Sequence, residues 1–282
     1  MPGTTGAAGV EFFKMTGSGN DFVFLDGREH QPEAWPQERI VAICDRRTGI
    51  GADGFVILAP EAPGRVRMHF YNADGGRADM CGNAALCSTR LAVRLGLAPP
   101  EQMELATDAG LLQTRCVGPG EMAEIRLPDG VRPVAPEKLA LEPGERWAAL
   151  ATVGVPHLVV RVDDVEAVPL DRRGRALRWD TAGGPAGANA NFVSAPVSAG
   201  GPWLIRTFER GVEGETLACG TGTVAAALAL AAHGEAELPI PFLSRGGAPL
   251  AVSATLDPDG TASDSWLCGQ GRLVFHGVYR ES

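Results

Sequence analysis

Short apolar runs, each bounded by a turn rich in glycine, asparagine or aspartate, recur along the chain and predict many short strands. Phe12–Met15 and Phe22–Leu25 flank the polar turn Gly17–Asp21, a strand-turn-strand opening. Glu33–Arg46 reads as a helix with Ile40, Val41 and Ile43 on one side. The glycine-rich turn Thr48–Gly54 leads into a buried strand, Phe55–Leu58, and Val66–Tyr71 runs as a strand into Asn72-Ala73-Asp74-Gly75-Gly76. In that turn Asn and Asp satisfy local backbone groups and Gly permits positive φ. A helix from Cys81-Gly82 to about Leu95 follows, with Gly96 as its stop. Met103–Leu105 and Leu111–Thr114 are short strands, and the proline-rich stretch Asp129–Glu145 reads as a crossing between two halves.

The second half repeats this order. Ala148–Val162 reads as strand, turn, strand; Gly187–Val193 as a turn and a strand; and Trp203–Phe208 as a strand ending in the polar stretch Glu209–Thr216. A second helix then begins at Cys219-Gly220 and ends near His233, before Gly234, and Pro249–Val252 and Arg272–Val278 close the chain. The chain is thus read as many short strands with one apolar helix per half. Each helix opens on Cys-Gly after a polar loop: Tyr71-Asn72…Cys81-Gly82-Asn83 against Phe208-Glu209-Arg210…Cys219-Gly220-Thr221.

Composition narrows what such a chain does. Its 282 residues, 45% hydrophobic, are enough for one large or two ordinary domains. The net charge of −9, with no basic run, argues against nucleic acid and anionic membranes as partners. No apolar stretch approaches a membrane span, and Met1–Val10, rich in Gly, Thr and Ala, reads as a disordered lead-in rather than a signal peptide. The six cysteines form no CxxC pair, so neither a zinc ribbon nor a thioredoxin-type motif is present. Reduced thiols in the cytoplasm are the expectation. Only Lys14 and Lys138 are lysines, and neither has the setting of a Schiff-base residue.

A cysteine at a helix N-terminus sits beside unpaired N–H groups and the positive end of the helix dipole. Its thiol pKa falls to about 3.5–7.5, which makes thiolate available near neutral pH. Two such cysteines, one per half, point to two-base proton transfer at carbon: one thiolate removes a proton, and the other thiol returns one to the opposite face. The N–H groups of Gly82, Asn83, Gly220 and Thr221 would bind a carboxylate and stabilise the charge that develops as its α-proton leaves. Base, acid and electrostatic stabilisation are all supplied without a cofactor or metal. Each cysteine taken alone could instead be a small buried residue, the reading kept for Cys44, Cys87, Cys116 and Cys268.

An ordered set of motifs adds to this: Lys14-Met15-x-Gly17-x-Gly19-Asn20-Asp21-Phe22, Gly49–Gly54, Asn72–Gly75, Cys81-Gly82-Asn83, Gly154-x-Pro156-His157, Asn189-x-x-Phe192, Glu209-Arg210-Gly211 and Glu215-Thr216-x-Ala218-Cys219-Gly220-Thr221-Gly222, where x is any residue. The set resembles the diaminopimelate epimerase family over Phe13 to about Gly277. The resemblance implies an α/β fold of the α+β type. Two pseudo-symmetric halves would each wrap a mainly antiparallel sheet around a central helix, with the active site in the cleft between them. The halves would be residues 1–127 and 128–270, with a closing strand at about 271–282 returning to the first. It implies pyridoxal-independent interconversion of LL- and meso-diaminopimelate, a small amino-acid substrate, in lysine and peptidoglycan precursor synthesis, by a homodimer. Cys81 and Cys219 match the catalytic cysteines, and His157 and Glu209 match groups that support proton transfer. Asn20, Asn72, Asn189, Glu209 and Arg210 match substrate-holding positions. Val155, Gly54 and Ala85-Leu86 depart from the pattern, the first standing where many members carry a substrate-binding Asn.

Two other readings fit the cysteine pair. A proline or hydroxyproline racemase-like enzyme would use the same chemistry on a substrate with no distal amino-carboxylate for Arg210 and the asparagines to hold. A thiol-redox protein would use Cys81 and Cys219 as a switch.

Overall fold

The computed structural model describes residues 9–280. The lead-in read at Met1–Val10 falls outside the described residues except for Gly9 and Val10, and Val10 already opens the first strand. The described residues fold as two compact units, one formed by residues 9–123 together with 271–280, the other by residues 124–270.

In the first unit β1 (Val10–Gly17), β2 (Asn20–Asp26), β3 (Gly54–Ala62), β4 (Arg65–Asn72), β5 (Met103–Thr107), β6 (Gly110–Val117) and β16 (Arg272–Tyr279) form a sheet in the order β16-β1-β2-β3-β4-β5-β6. The pairs β2/β3 and β4/β5 are parallel and the others antiparallel. A parallel pair needs a crossover. Here α1 (Gln37–Cys44) and α2 (Gly82–Arg94) supply the two crossovers. The β1/β2 hairpin turns at Ser18-Gly19, both at positive φ, the geometry that matches strand twist in a two-residue loop.

The second unit lays down the same succession. Its strands are β8 (Glu145–Val153), β9 (Val155–Val162), β10 (Asn189–Ser194), β11 (Trp203–Glu209), β13 (Ile240–Ser244), β14 (Pro249–Leu256) and β15 (Ala262–Gln270), hydrogen-bonded in that order, with β12 (Gly214–Thr216) added to β11. From β8 to β14 the pairings run antiparallel, parallel, antiparallel, parallel, antiparallel, as they do from β1 to β6. The crossover helices are α3 (Leu170–Arg178) and α4 (Gly220–Ala232). The strand β7 (Met122–Arg126) straddles the division between the units.

α2 and α4 are the central helices. α2 packs on β1, β3, β4, β5, β6 and β16, and α4 on β8, β9, β10, β14 and β15. Gly222 through Leu230 are all buried, as are Asn83 through Thr89. Burial all round is the mark of a core helix. Both end alike: Gly96 and Gly234 take positive φ, and Leu97 and Glu235 donate back to Ala92 and Leu230, which satisfies the last carbonyls.

The helix expected over Glu33–Arg46 is shorter. A single 3-10 turn covers Pro32–Ala34, and α1 starts only after Pro36, which pushes Trp35 out of helical conformation. The count of one helix per half omits α1's counterpart α3, whose buried face includes Arg173 and Arg178. Arg173 pairs with Glu145 at 2.7 Å and Arg178 with Glu213 at 2.9 Å, so those charges are buried with partners.

Candidate active site

Cys81 is the residue that caps α2, in extended conformation, and Cys219 caps α4 in the same way. Neither helix start carries a side-chain capping hydrogen bond. Ser, Thr, Asp or Asn would normally fill this position and occupy an orphan N–H. Cysteine there leaves the N–H groups of the first turn, from Gly82-Asn83 and Gly220-Thr221, unclaimed by the cap. Cys219 is 8% exposed and Cys81 half-buried. Three of the other thiols are removed from thiolate chemistry. Burial pushes Cys44 up to about 12, raises Cys116, and raises Cys87 well above its ordinary value, with Cys81's charge adding to the last.

In the first unit Asn83, on the second residue of α2, is joined to the β1/β2 hairpin. Its Nδ2 donates to Asn20 Oδ1 at 2.7 Å, and Asn20 Nδ2 donates to Asp53 Oδ2 at 3.0 Å. A carboxylate only accepts, so Asp53 fixes which way round both amides lie. Asn83 Oδ1 is thereby left buried and without a partner among the described residues. Arg46 reaches both Asp21 (2.6 Å) and Asp53 (2.7 Å), and Lys14, itself buried, bonds Asp21 at 2.7 Å and the Gly51 carbonyl. Burial pushes the Asp21 carboxyl up, but the hydrogen bonds and charges of Arg46 and Lys14 outweigh it and hold the group at about 2. Asn72 stands exposed at the end of β4, paired in register with Gly54, and opens the turn that Gly75 and Gly76 close.

In the second unit Asn189 starts β10, and its Oδ1 accepts the Arg210 N–H at 2.7 Å, which ties the β11 turn to the sheet. Burial raises the Glu209 carboxyl at the end of β11. The Arg210 guanidinium makes no ion pair among the described residues, unlike Arg206 within β11, which grips Glu215 at 2.7 Å. His157, in β9, is wholly buried. Burial, with the charge of Arg210 adding to it, lowers its pKa to about 3, so the imidazole is neutral at physiological pH. Thr221 Oγ1 lies 3.7 Å from Cys219 Sγ.

The structure thus gathers Asn20, Gly82, Asn83 and Cys81 around the start of α2. It gathers Cys219, Gly220 and Thr221 at the start of α4, and joins Asn189 at the start of β10 to Arg210 in the turn after β11. Four supporting residues of the first unit, Lys14, Arg46, Asp21 and Asp53, carry no role in the sequence reading. Asp21 and Asp53 lie inside the quoted motifs, directly after Asn20 and before Gly54, and this is the signal for them. Nothing local marks Arg46, whose partners are set by tertiary structure. Asn191, two residues after Asn189, is likewise unassigned there.

Comparison with known proteins bears on both units. The family model described as diaminopimelate epimerase matches residues 12–127 and 149–255. A protein of Gemmatimonas aurantiaca named diaminopimelate epimerase is 46% identical over 276 residues, which cover 95% of this chain and 98% of the relative. In fold, the chain is similar to a phenazine biosynthesis protein of the PhzF family from Bacillus anthracis (TM-score 0.70, 12% identity, 95% of this chain and 98% of that one). It is similar also to a probable proline racemase from Agrobacterium radiobacter (TM-score 0.62, 18% identity, 95% and 92%). The fold is therefore shared among several chemistries, while the family match and the near full-length identity are specific: the chain belongs to the diaminopimelate epimerase family.

Proposed function

We propose that this enzyme, an isomerase of the pyridoxal-independent type, interconverts LL- and meso-diaminopimelate in lysine and peptidoglycan precursor synthesis, with Cys81 and Cys219 as its two acid–base groups. The observation that carries this reading is the matched pair of helix starts, each capped by cysteine with its first-turn N–H groups left free of a side-chain cap. The reaction requires both half-sites to act on one substrate. One cysteine thiolate takes the α-proton and becomes a thiol. The C–H electron pair moves toward the carboxylate, where N–H donors of Gly82, Asn83, Gly220 and Thr221 stabilise the growing charge. The other thiol gives its proton to the opposite face of the carbon and becomes the thiolate. Atoms and charge balance, and the two sulfurs have exchanged states.

Diaminopimelate has a second amino-carboxylate. Arg210, whose guanidinium is not committed to a carboxylate of its own unit, supports capture of the distal carboxylate through two parallel N–H bonds. Asn20, Asn72, Asn189 and Glu209 offer acceptors to the ammonium groups. A proline-type racemase has nothing for these groups to hold, and the fold alone does not separate the two, since a probable proline racemase shares it.

The test is exchange in deuterated water. LL-diaminopimelate should take up deuterium at one α-carbon, and exchange with proline alone would overturn the substrate. Cys81→Ala and Cys219→Ala should each lose epimerisation by at least about 1,000-fold. Full activity in either variant defeats the two-base assignment. Limited hydrogen peroxide, reduced to water as two thiols join, should link peptides carrying Cys81 and Cys219; no such link would count against a shared substrate.

The same reading includes a homodimer in the cytoplasm. Among the described residues no helix is long and apolar enough to cross a membrane. At the sheet edge β16 exposes Val274, Phe275 and Val278, the last 64% accessible. An apolar edge of this kind calls for a cover, and a second copy is the cover proposed. Sedimentation of wild type against Val278→Lys would show a dimer lost in the variant; a monomeric wild type refutes it.

A further inference from the structure

Asn191 is wholly buried in the second unit, on β10, and two of the groups its amide faces are backbone carbonyl oxygens. Its Nδ2 lies 3.3 Å from the Leu158 carbonyl and 3.5 Å from the Asn189 carbonyl, and its Oδ1 accepts from Thr207 Oγ1 at 2.9 Å. Carbonyl oxygens only accept, so the NH2 end must face them. That same NH2 lies 3.3 Å from His157 Nδ1. Nδ1 must therefore be the accepting nitrogen, and in a neutral imidazole the proton then resides on Nε2. Nε2 is buried and has no partner among the described residues. A buried N–H without an acceptor is costly, about 1–3 kcal/mol, and such groups are rare outside functional sites.

The other side of the same amide supports α4. A Cβ on Gly222 would fall 2.2 Å from Asn191 Oδ1 and 3.2 Å from Cys219 Sγ. Glycine at that position lets the first turn of the helix settle on the asparagine, with the thiol beside it.

We propose that Asn191 is a positioning residue that locks His157 as the neutral Nε2–H tautomer, so that His157 acts as a fixed hydrogen-bond donor to an anionic acceptor in the reaction and not as a proton shuttle. The proposal rests on the epimerase reading only for the identity of that acceptor, a carboxylate or a thiolate. A shuttle must take up and release a proton near neutral pH. His157 is wholly buried, with Arg210 as the charged group acting on it, and both disfavour a second proton. A fixed donor needs only the correct tautomer and a charge to meet.

The test reads the imidazole directly. With 15N-histidine label, and His157→Gln to assign the signal, the resting protein should show His157 protonated on Nε2 alone, unchanged from pH 8 to pH 5. A proton on Nδ1, an imidazolium, or a titration within that range overturns the proposal. Asn191→Asp offers Nδ1 an acceptor and should invert the tautomer, with kcat lower by about 100- to 1,000-fold, the usual loss for one aligned donor, and KM changed less. An inverted tautomer with wild-type kcat would refute the catalytic use. Should that variant fail to fold, the wild-type spectrum still decides. The tautomer is read without substrate, so its failure leaves epimerisation standing. If instead the tautomer holds and diaminopimelate proves inert, the fault lies with the substrate reading. Adding meso-diaminopimelate to wild type separates the two acceptors: a carboxylate acceptor moves the Nε2–H signal only on binding, a thiolate moves it in the resting protein between Cys219→Ala or Cys81→Ala and wild type.

Discussion

In the first unit the parallel pair β2/β3 sets Phe22 against Gly54, and the antiparallel pair β3/β4 sets Val56 against Phe70. In the second unit the corresponding pairs set His157 against Asn189 and Asn191 against Thr207. The strand pattern is the same and the chemistry opposite. Where the second unit has a buried imidazole, amide and hydroxyl in one network, the first has aromatic rings, Phe22 and Phe70, edge to face at 6.1 Å. Gly54 is needed there because a Cβ would come within 2.8 Å of Phe70 and 3.2 Å of Phe22. The first unit's polar network sits at the hairpin instead, with Asn20 where the second unit has Val155. The difference also extends to what each unit leaves buried and unpaired. Asn83 leaves a buried acceptor, Oδ1; His157 leaves a buried donor, Nε2. A repeat that supplies one thiol per half thus sets unlike polar groups in its two halves.

The largest expected effect falls on the first unit. Asp21 is the charge partner of Lys14, whose side chain is only 8% exposed. Asp21→Asn leaves that ammonium buried without a carboxylate and should cost about 3 kcal/mol, the range for breaking a buried pair. Urea unfolding measures it. A loss under about 1 kcal/mol would show that the hairpin network is not what holds this half together.

Next comes the paired change Gly222→Ala and Ala84→Gly, at equivalent places three residues after each cysteine. Gly222→Ala drives a methyl against Asn191 Oδ1 and should cost about 1–3 kcal/mol, with activity falling as Cys219 shifts. Ala84→Gly should cost about 1 kcal/mol, the helix-propensity difference, and leave Cys81 in place. Equal effects on kcat in the two variants would erase the claimed asymmetry.

Acid should separate the halves. The pKa of His157 is lower in the folded protein (about 3) than its ordinary 6.5, so between these values the unfolded chain binds the extra proton. Stability is fully present above 6.5 and falls by about 1.4 kcal/mol per pH unit below it from this group alone. Asp21 is also lowered, from 3.8 to about 2, so its contribution is complete above 3.8 and lost only below that. Hydrogen exchange, corrected for its intrinsic pH dependence, should show β9–β11 opening more readily at pH 5 than at pH 7, and by more than β3–β4, where burial also lowers His69. Equal loosening of both halves at pH 5 would contradict these windows.

Much of this is legible in the chain because it is local. Cys-Gly before a small-residue run, and a glycine after it, mark both central helices and both stops without any tertiary information. α3 escapes the pattern because two of its buried positions are arginines, paired with Glu145 and Glu213 far away in sequence. β15 escapes it because Ser263, Asp264 and Ser265 break the apolar run; the strand is recognised only from its pairing with β14. The same limit applies at the half-sites. Asn20 and Asn189 stand out as polar residues beside strands, but that an aspartate 33 residues on orients Asn20, or that an asparagine 34 residues on orients His157, follows from register, which no window of sequence contains.

The smallest effect on stability tests whether the hairpin network serves the site at all. The Arg46 side chain is 58% exposed, so Arg46→Ala should cost no more than about 1 kcal/mol, the usual worth of an exposed ion pair. Yet Arg46 bridges Asp21 and Asp53, and Asp53 sets the amides of Asn20 and then Asn83. Freed from the guanidinium, Asp53 can turn away, Asn20 loses its reference, and the Asn83 acceptor at the start of α2 is no longer aimed. Catalysis should therefore fall more than stability does, by about tenfold in kcat/KM, or about 1.4 kcal/mol, and Arg46→Lys should restore part of it by keeping the charge without the fork. A variant with unchanged kinetics would reduce the network to a support for the hairpin. The side chains that tune the reaction would then lie in the second unit, and the first would contribute its helix start, with Cys81, and no polar network behind it.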